Sequence, residues 1–96
     1  MLKICRFDLP GKGLCAVPMP KGARIIAATG GLGGARVVAM ADGLLPTVNR
    51  MFLVARTGSV VSDDQAARFV GSCSLNDGSM VHVFDLGENA FCGLPQ

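Results

Sequence analysis

The sequence has no tryptophan and no tyrosine, only one histidine, and little charge. Charged side chains make up 17% of its 96 residues, against about 25% in typical domains. One imidazole, His82, removes every catalytic scheme that needs two. It also leaves a Cys2His2 zinc site incomplete, and the four cysteines form no CxxC pair. Neither a metal, a cofactor nor an enzymatic activity is therefore expected. No apolar stretch approaches the roughly 18 residues of a membrane span. The nine basic residues form no run and leave a net charge of +2, so duplex nucleic acid is not an expected partner. Met1–Arg6 lacks the apolar core of a secretory signal. The expectation is a cytosolic chain in which Cys5, Cys15, Cys73 and Cys92 stay reduced and serve as small apolar residues.

What is present is apolar. Half of the residues are hydrophobic, punctuated by 13 glycines and 5 prolines into runs of strand length. Lys3–Leu9, Ala23–Thr29, Ala35–Ala41, Arg50–Arg56, Arg68–Ser74 and Met80–Asp85 read as strands, with Leu14–Val17 a short extended segment. Ser62 before Asp63-Asp64-Gln65 is an N-cap signal, and Asp63–Ala67 fits a single helical turn. The fold class expected is mainly β: a small antiparallel barrel or sandwich of about six strands, with at most one short helical turn. One domain is expected over residues 1–86, followed by an irregular tail over 87–96.

The strand faces are unusual. With Gly31-Leu32-Gly33 as a hairpin loop, Ile25, Ala27, Thr29, Ala35, Val37 and Ala39 share one side. Arg24, Ile26, Ala28, Arg36, Val38 and Met40 share the other. Arg50–Arg56 sets Phe52 and Val54 between two arginines, opposite Met51, Leu53 and Ala55. A half-wet sheet alternates apolar and polar more cleanly. Apolar residues on both faces imply either a second covered surface, and hence a homo-oligomer, or a strongly curved barrel with its loops folded over it.

Three motifs carry candidate chemistry. Ile25–Arg36 runs an apolar strand into Gly30-Gly31-Leu32-Gly33-Gly34, superficially like a dinucleotide-binding turn. No helix-forming segment follows, and Arg36 stands where the third glycine of GxGxxG would be, so the hairpin reading prevails. Asn76-Asp77-Gly78 is a second hairpin signal. If Asp77-Gly78 is a two-residue turn, Cys73 faces His82 across the strands as a potential Cys–His dyad. A three-residue turn removes that pairing. Asp63-Asp64 suits the first turn of a helix better than a paired-carboxylate site.

In order, Met1–Pro10, Met19–Ile26, Arg50–Gly58, Phe69–Cys73 and Asp77–Asp85 resemble a widespread family of short phage-encoded proteins classified as a domain of unknown function. The most specific matches are Pro20-Lys21-Gly22-Ala23, Arg56-Thr57-Gly58 and Val81-His82-Val83-Phe84. Where that family continues with a His-Pro pair after the TG, this chain has Ser59-Val60. The resemblance implies phage origin and a compact β domain in the host bacterial cytoplasm, and it brings no catalytic residues. Small phage proteins of this kind often counter host defence. One mechanism is an oligomeric sponge that sequesters a cyclic nucleotide signal between subunits. The alternatives are direct inhibition of a host defence complex, as anti-CRISPR proteins do, and an accessory or structural role in the phage.

For the sponge, the expected ligand residues are Lys21, Arg24, Arg50, Phe52, Arg56, Thr57, Gly58 and His82. Arginine forks suit phosphate, Phe52 would stack a base, and Thr57 and Gly58 would bind a base edge or phosphate. On the other reading Arg50 and Arg56 are strand-end charges and Phe52 is core.

Overall fold

Alternation along the chain builds strands that each turn one side inward. The computed structural model describes residues 1–31 and 33–88. In it, β1 spans Lys3–Asp8, β2 Gly13–Pro20, β3 Arg24–Gly30 and β4 Ala35–Ala41, followed by β5 at Thr47–Arg56. The helix α1 covers Asp63–Ala66, and β6 at Phe69–Ser74 and β7 at Met80–Glu88 complete the described elements. All pairings are antiparallel, in the orders β1-β4-β3 and β2-β5-β7-β6. The two sheets form a sandwich and do not close into a barrel. The additional strand is β2, which extends the short segment expected at Leu14–Val17 and buries Val17 and Met19 on one side. The strand β7 takes in Gly87 and Glu88, and the rest of the expected tail lies outside the described residues. Among the described residues no helix is long and apolar enough to cross a membrane.

The core lies between the sheets. Val37, Ala39 and Ala41 of β4 face Phe52 and Val54 of β5 and Val81 and Val83 of β7 across it. On β4 the other side is half-buried at Arg36, Val38 and Met40, in line with a strand apolar on both faces. Pro18 and Pro20 sit on β2, which pairs only with β5. A proline tolerates an edge position because no partner strand needs its missing N–H, and it discourages pairing with a further strand.

One expected register is corrected, and of the two turns open at the second hairpin the three-residue one forms. Between Ile25 and Ala27 the pairing of β3 with β4 shifts, so Ile26 is an extra residue that leaves the ladder. A strand's side chains repeat every two residues, so one extra residue exchanges the faces beyond it. Ala28 therefore pairs with Val37 and packs against the core, while Ala27 and Thr29 pair with Val38 and Arg36 on the opposite side. At the second hairpin, Ser74 pairs with Met80 and the Leu75 N–H donates to the Ser79 carbonyl. Asn76, Asp77 and Gly78 thus form a three-residue turn, with Gly78 at a φ of 86° that favours glycine. Cys73 consequently opposes Val81, not His82.

The sheets approach most closely where β3 runs beside β6. A β-carbon on Gly30 would overlap the Ser74 carbonyl oxygen, a backbone atom that cannot swing aside. Gly30→Ala is expected to cost about 1–3 kcal/mol. Gly43→Ala, which meets nothing within 4 Å, should stay within about 0.5 kcal/mol. Urea unfolding of the two variants side by side checks this, and equal midpoints would contradict the close approach.

Candidate functional site

The turn after β5 and the outer side of the four-stranded sheet together form a cleft of about 270 Å³. Arg56, Thr57, Gly58 and Ser59 supply one wall, and His82, Phe84 and Phe69 supply the other. The strand pairing accounts for this grouping. His82 on the central strand β7 lies opposite Ala55 of β5 on one side and Ser72 of β6 on the other. The chain then leaves β5 at Arg56 and turns, closing with a Ser59 N–H donated to the Arg56 carbonyl. Gly58 takes a φ of 98° in that turn, the left-handed region that a β-carbon disfavours.

The imidazole is held from both sides. The Thr57 hydroxyl lies 2.8 Å from Nε2 of His82, and the Ser72 hydroxyl lies 2.6 Å from Nδ1. An uncharged imidazole offers one donor and one acceptor. In that form one hydroxyl donates to the ring and the other accepts from it, and the two contacts fix the ring plane. Phe69 stands 53% exposed with its ring 5.5 Å from that of Phe84, tilted by 59°. This is an aromatic pair with one ring still open to a ligand.

After the turn, α1 holds the chain over the sheet. The Ser62 side chain accepts from the Gln65 N–H at 3.1 Å, and the Gln65 side chain accepts from the Ser62 N–H at 3.0 Å. This reciprocal capping box fulfils the N-cap signal read in Ser62–Gln65. Asp63 and Asp64 occupy the first turn of the helix.

Four of the eight expected residues, Arg56, Thr57, Gly58 and His82, border this cleft, but Arg56 pairs with Val81 and so turns its side chain to the face opposite His82. The other four lie elsewhere. Phe52 is fully buried between the sheets and offers no surface to a base. Arg50 shares its inward direction but is only 14% exposed and bound on every side. Its Nε and Nη2 donate to the two Asp85 carboxylate oxygens at 3.0 and 2.8 Å, and its Nη1 donates to the Ala23 carbonyl at 2.6 Å. The hydrogen bonds that Arg50 donates to Asp85 raise its pKa further. Arg50 is thus a structural clasp and not a free phosphate fork. Lys21 lies in the turn between β2 and β3, its N–H donated to the Pro46 carbonyl. Arg24 pairs with Met40 on the three-stranded sheet.

The Cys–His dyad is absent for the register reason given above. Cys73 is buried, and burial pushes its thiol pKa up, away from the thiolate that nucleophilic chemistry needs. No group of three or more His, Cys, Asp or Glu residues capable of holding a metal occurs among the described residues. Sequence reasoning missed Ser72, Phe69 and Phe84. The signal for Ser72 lay in the hairpin, since a three-residue turn at Asn76–Gly78 sets Ser72 opposite His82.

A family model described as "Domain of unknown function (DUF7352)" matches residues 1–90. No curated protein and no solved structure matches the chain.

Proposed function

The chain belongs to the family defined by that domain of unknown function, DUF7352, and we propose that it is a non-enzymatic binding protein for a phosphate-bearing nucleotide. In its biological setting it is a phage counter-defence protein of the host bacterial cytoplasm, an oligomeric sponge for a cyclic nucleotide signal. The observation that carries the binding reading is the gathering of the backbone turn Arg56-Thr57-Gly58-Ser59, His82 and a half-exposed Phe69 around one cleft. Arg56, exposed at the end of β5 on the Val81 side, adds positive charge near the cleft and not a fork inside it. The N–H groups and hydroxyls of the turn add donors, and the open Phe69 face takes a base at about 1–3 kcal/mol per stacked base.

A cleft of about 270 Å³ falls at the lower edge of the roughly 300–1,000 Å³ of small-molecule pockets. A second copy closing over it would enclose the ligand. Exposed Val60 in the loop after the turn and Leu14 on the same outer sheet face supply apolar surface for that contact.

Thermal unfolding with a panel of cyclic dinucleotides, cyclic trinucleotides and mononucleotides tests the reading. A nucleotide at 100 times its Kd should add about 2.7 kcal/mol of stability, which is about 10–20 °C in Tm for a domain of this size. Phe69→Ala should weaken the active ligand by about 5–150-fold, since a stacked base contributes about 1–3 kcal/mol. An unchanged Tm with every nucleotide, together with stoichiometric binding to a purified defence complex, would replace the sponge with the direct inhibitor. A monomer in gel filtration with and without ligand would overturn enclosure between copies.

A further inference from the structure

We propose that one end of the molecule is a lipid-docking tip, whose exposed aliphatic side chains enter the surface layer of an anionic bilayer while neighbouring lysine and arginine side chains meet its headgroups. The tip lies apart from the cleft and does not depend on the nucleotide reading. Among the described residues ten large apolar side chains stand exposed, and five of them gather here. Met1, Leu2 and Ile4 come from the segment that opens β1, and Leu44 and Leu45 from the loop between β4 and β5. Scattered singly, such side chains need no explanation, whereas a contiguous patch marks an interaction surface. The two segments are neighbours because β1 pairs with β4, Lys3 opposite Ala41 and Ile4 opposite Met40. Met1, Lys3, Gly43 and Leu44 accordingly border one shallow depression.

Asp42 ties the two segments together. One carboxylate oxygen accepts from the Leu44 N–H at 3.0 Å and the other from the Met1 amine at 3.2 Å. Its carbonyl accepts from the Leu45 N–H at 3.1 Å. The loop backbone is thus ordered, yet Leu44 is left 90% exposed.

The free charges around the tip are of one sign. Lys3 borders the same depression. Lys21 sits beside the loop, its N–H donated to the carbonyl of Pro46, directly after Leu45. Arg24 and Ile4 flank Met40 from either side, since both pair with it. All three basic residues are exposed and make no ion pair among the described residues. The nearby carboxylates are engaged, Asp42 as above and Glu88 with the Gly22 N–H.

This charge pattern selects the occupant. A second copy would bring its own Lys3, Lys21 and Arg24 to the contact, and like charges meeting across an interface oppose it. An anionic bilayer suits both halves of the tip. The aliphatic side chains leave water for the boundary between headgroups and acyl chains. Each basic residue gains from the negative surface, its stem along the apolar layer and its charge at the headgroups. Side chains as bare as Leu44 need no matching groove in a fluid layer. The loop precedes Thr47 and the turn of the cleft follows Arg56, so β5 sets the two about 30 Å apart at roughly 3.3 Å per residue. Docking at one end leaves the other in water.

Flotation of the full chain with vesicles tests this, comparing phosphatidylcholine alone with an equimolar mixture of phosphatidylcholine and phosphatidylglycerol. The wild type should float with the mixed vesicles and stay behind with the neutral ones. Leu44→Ser should weaken that binding by about ten-fold or more, the effect of withdrawing one large aliphatic side chain. Lys21→Gln should weaken it about five-fold, the effect of one basic residue at an anionic surface. Val60→Ser removes a side chain that is 96% exposed beyond the far end of β5, and it should float as the wild type does. Wild type that stays in the aqueous fraction with mixed vesicles overturns the lipid docking and leaves a groove on an acidic protein as the occupant. Equal flotation with both vesicle types overturns the charge contacts, and Leu44→Ser that floats like the wild type overturns the tip. Nucleotide titration of Leu44→Ser should match the wild type, so the failure of docking and the failure of the nucleotide reading are read separately.

Discussion

Phe52→Ala is expected to lower stability by about 3–5 kcal/mol, a large part of the roughly 5–15 kcal/mol that holds a small domain together. Phe52 has no exposed surface and stands in the core with Val54, Val81 and Val83. It lies on β5, which is paired on both sides by β2 and β7. A strand fixed along both edges cannot shift far to fill the void, so the loss includes a cavity contribution as well as the transfer of the ring. Equilibrium unfolding in urea, followed by far-UV circular dichroism, measures the change. Leu14→Ala, at a residue 63% exposed on neighbouring β2, should change stability by no more than about 0.5 kcal/mol. A Phe52→Ala protein with unchanged stability but lost ligand affinity would restore Phe52 as a stacking platform and refute the core assignment.

Removing Arg50 is the second large effect. Arg50→Met should destabilise by about 2–4 kcal/mol, between the cost of breaking an exposed pair and that of breaking a fully buried one. Arg50 and Asp85 are 14% and 19% exposed, so water screens the pair only partly. The substitution leaves the Asp85 carboxylate without its guanidinium and the Ala23 carbonyl without its donor, and unsatisfied partners account for most of such a loss. Replacing both residues, as Arg50→Met with Asp85→Leu, should therefore recover part of the stability lost in the single variant. A double-mutant cycle of urea midpoints reads the coupling. Additive effects would show that the clasp contributes nothing beyond its separate side chains.

These two residues mark what was legible in the sequence. Strand positions followed from the apolar runs and their glycine and proline boundaries, because alternation is a local property. The cap at Ser62 was also local, as both of its bonds span three residues. Arg50 could be placed on the inward side of β5 with Phe52, yet its partners Asp85 and Ala23 are distant in sequence, and nothing near Arg50 signals them. Ile25-Ile26-Ala27-Ala28 carries no mark of the bulge at Ile26, since every residue in it suits either face. The bulge then reassigned each side chain of β3 beyond it. His82, Thr57 and Gly58 lie together because two neighbouring strands and one turn hold them, whereas alternation along β5 carries the Arg56 side chain to the other face. The aromatic wall escaped notice because Phe69 joins it only through the register of β6 on β7.

The strand order has a consequence for how the molecule assembles. The sheet β1-β4-β3 draws on residues 3–41, but β2 lies within that stretch and belongs to the other sheet. The sheet β2-β5-β7-β6 in turn has β3 and β4 inside its span. No continuous fragment therefore contains one whole sheet and nothing of the other, and neither half is available as a free-standing folding unit. Among the described strands only the hairpins β3–β4 and β6–β7 form from neighbours in sequence. Every other pairing must first close a long loop, which slows folding toward the millisecond-to-second range of β sandwiches. The interleaved chain should thus gain and lose both sheets in one cooperative step, and any site spread over β3, β5, β6 and β7 is complete or absent as a whole.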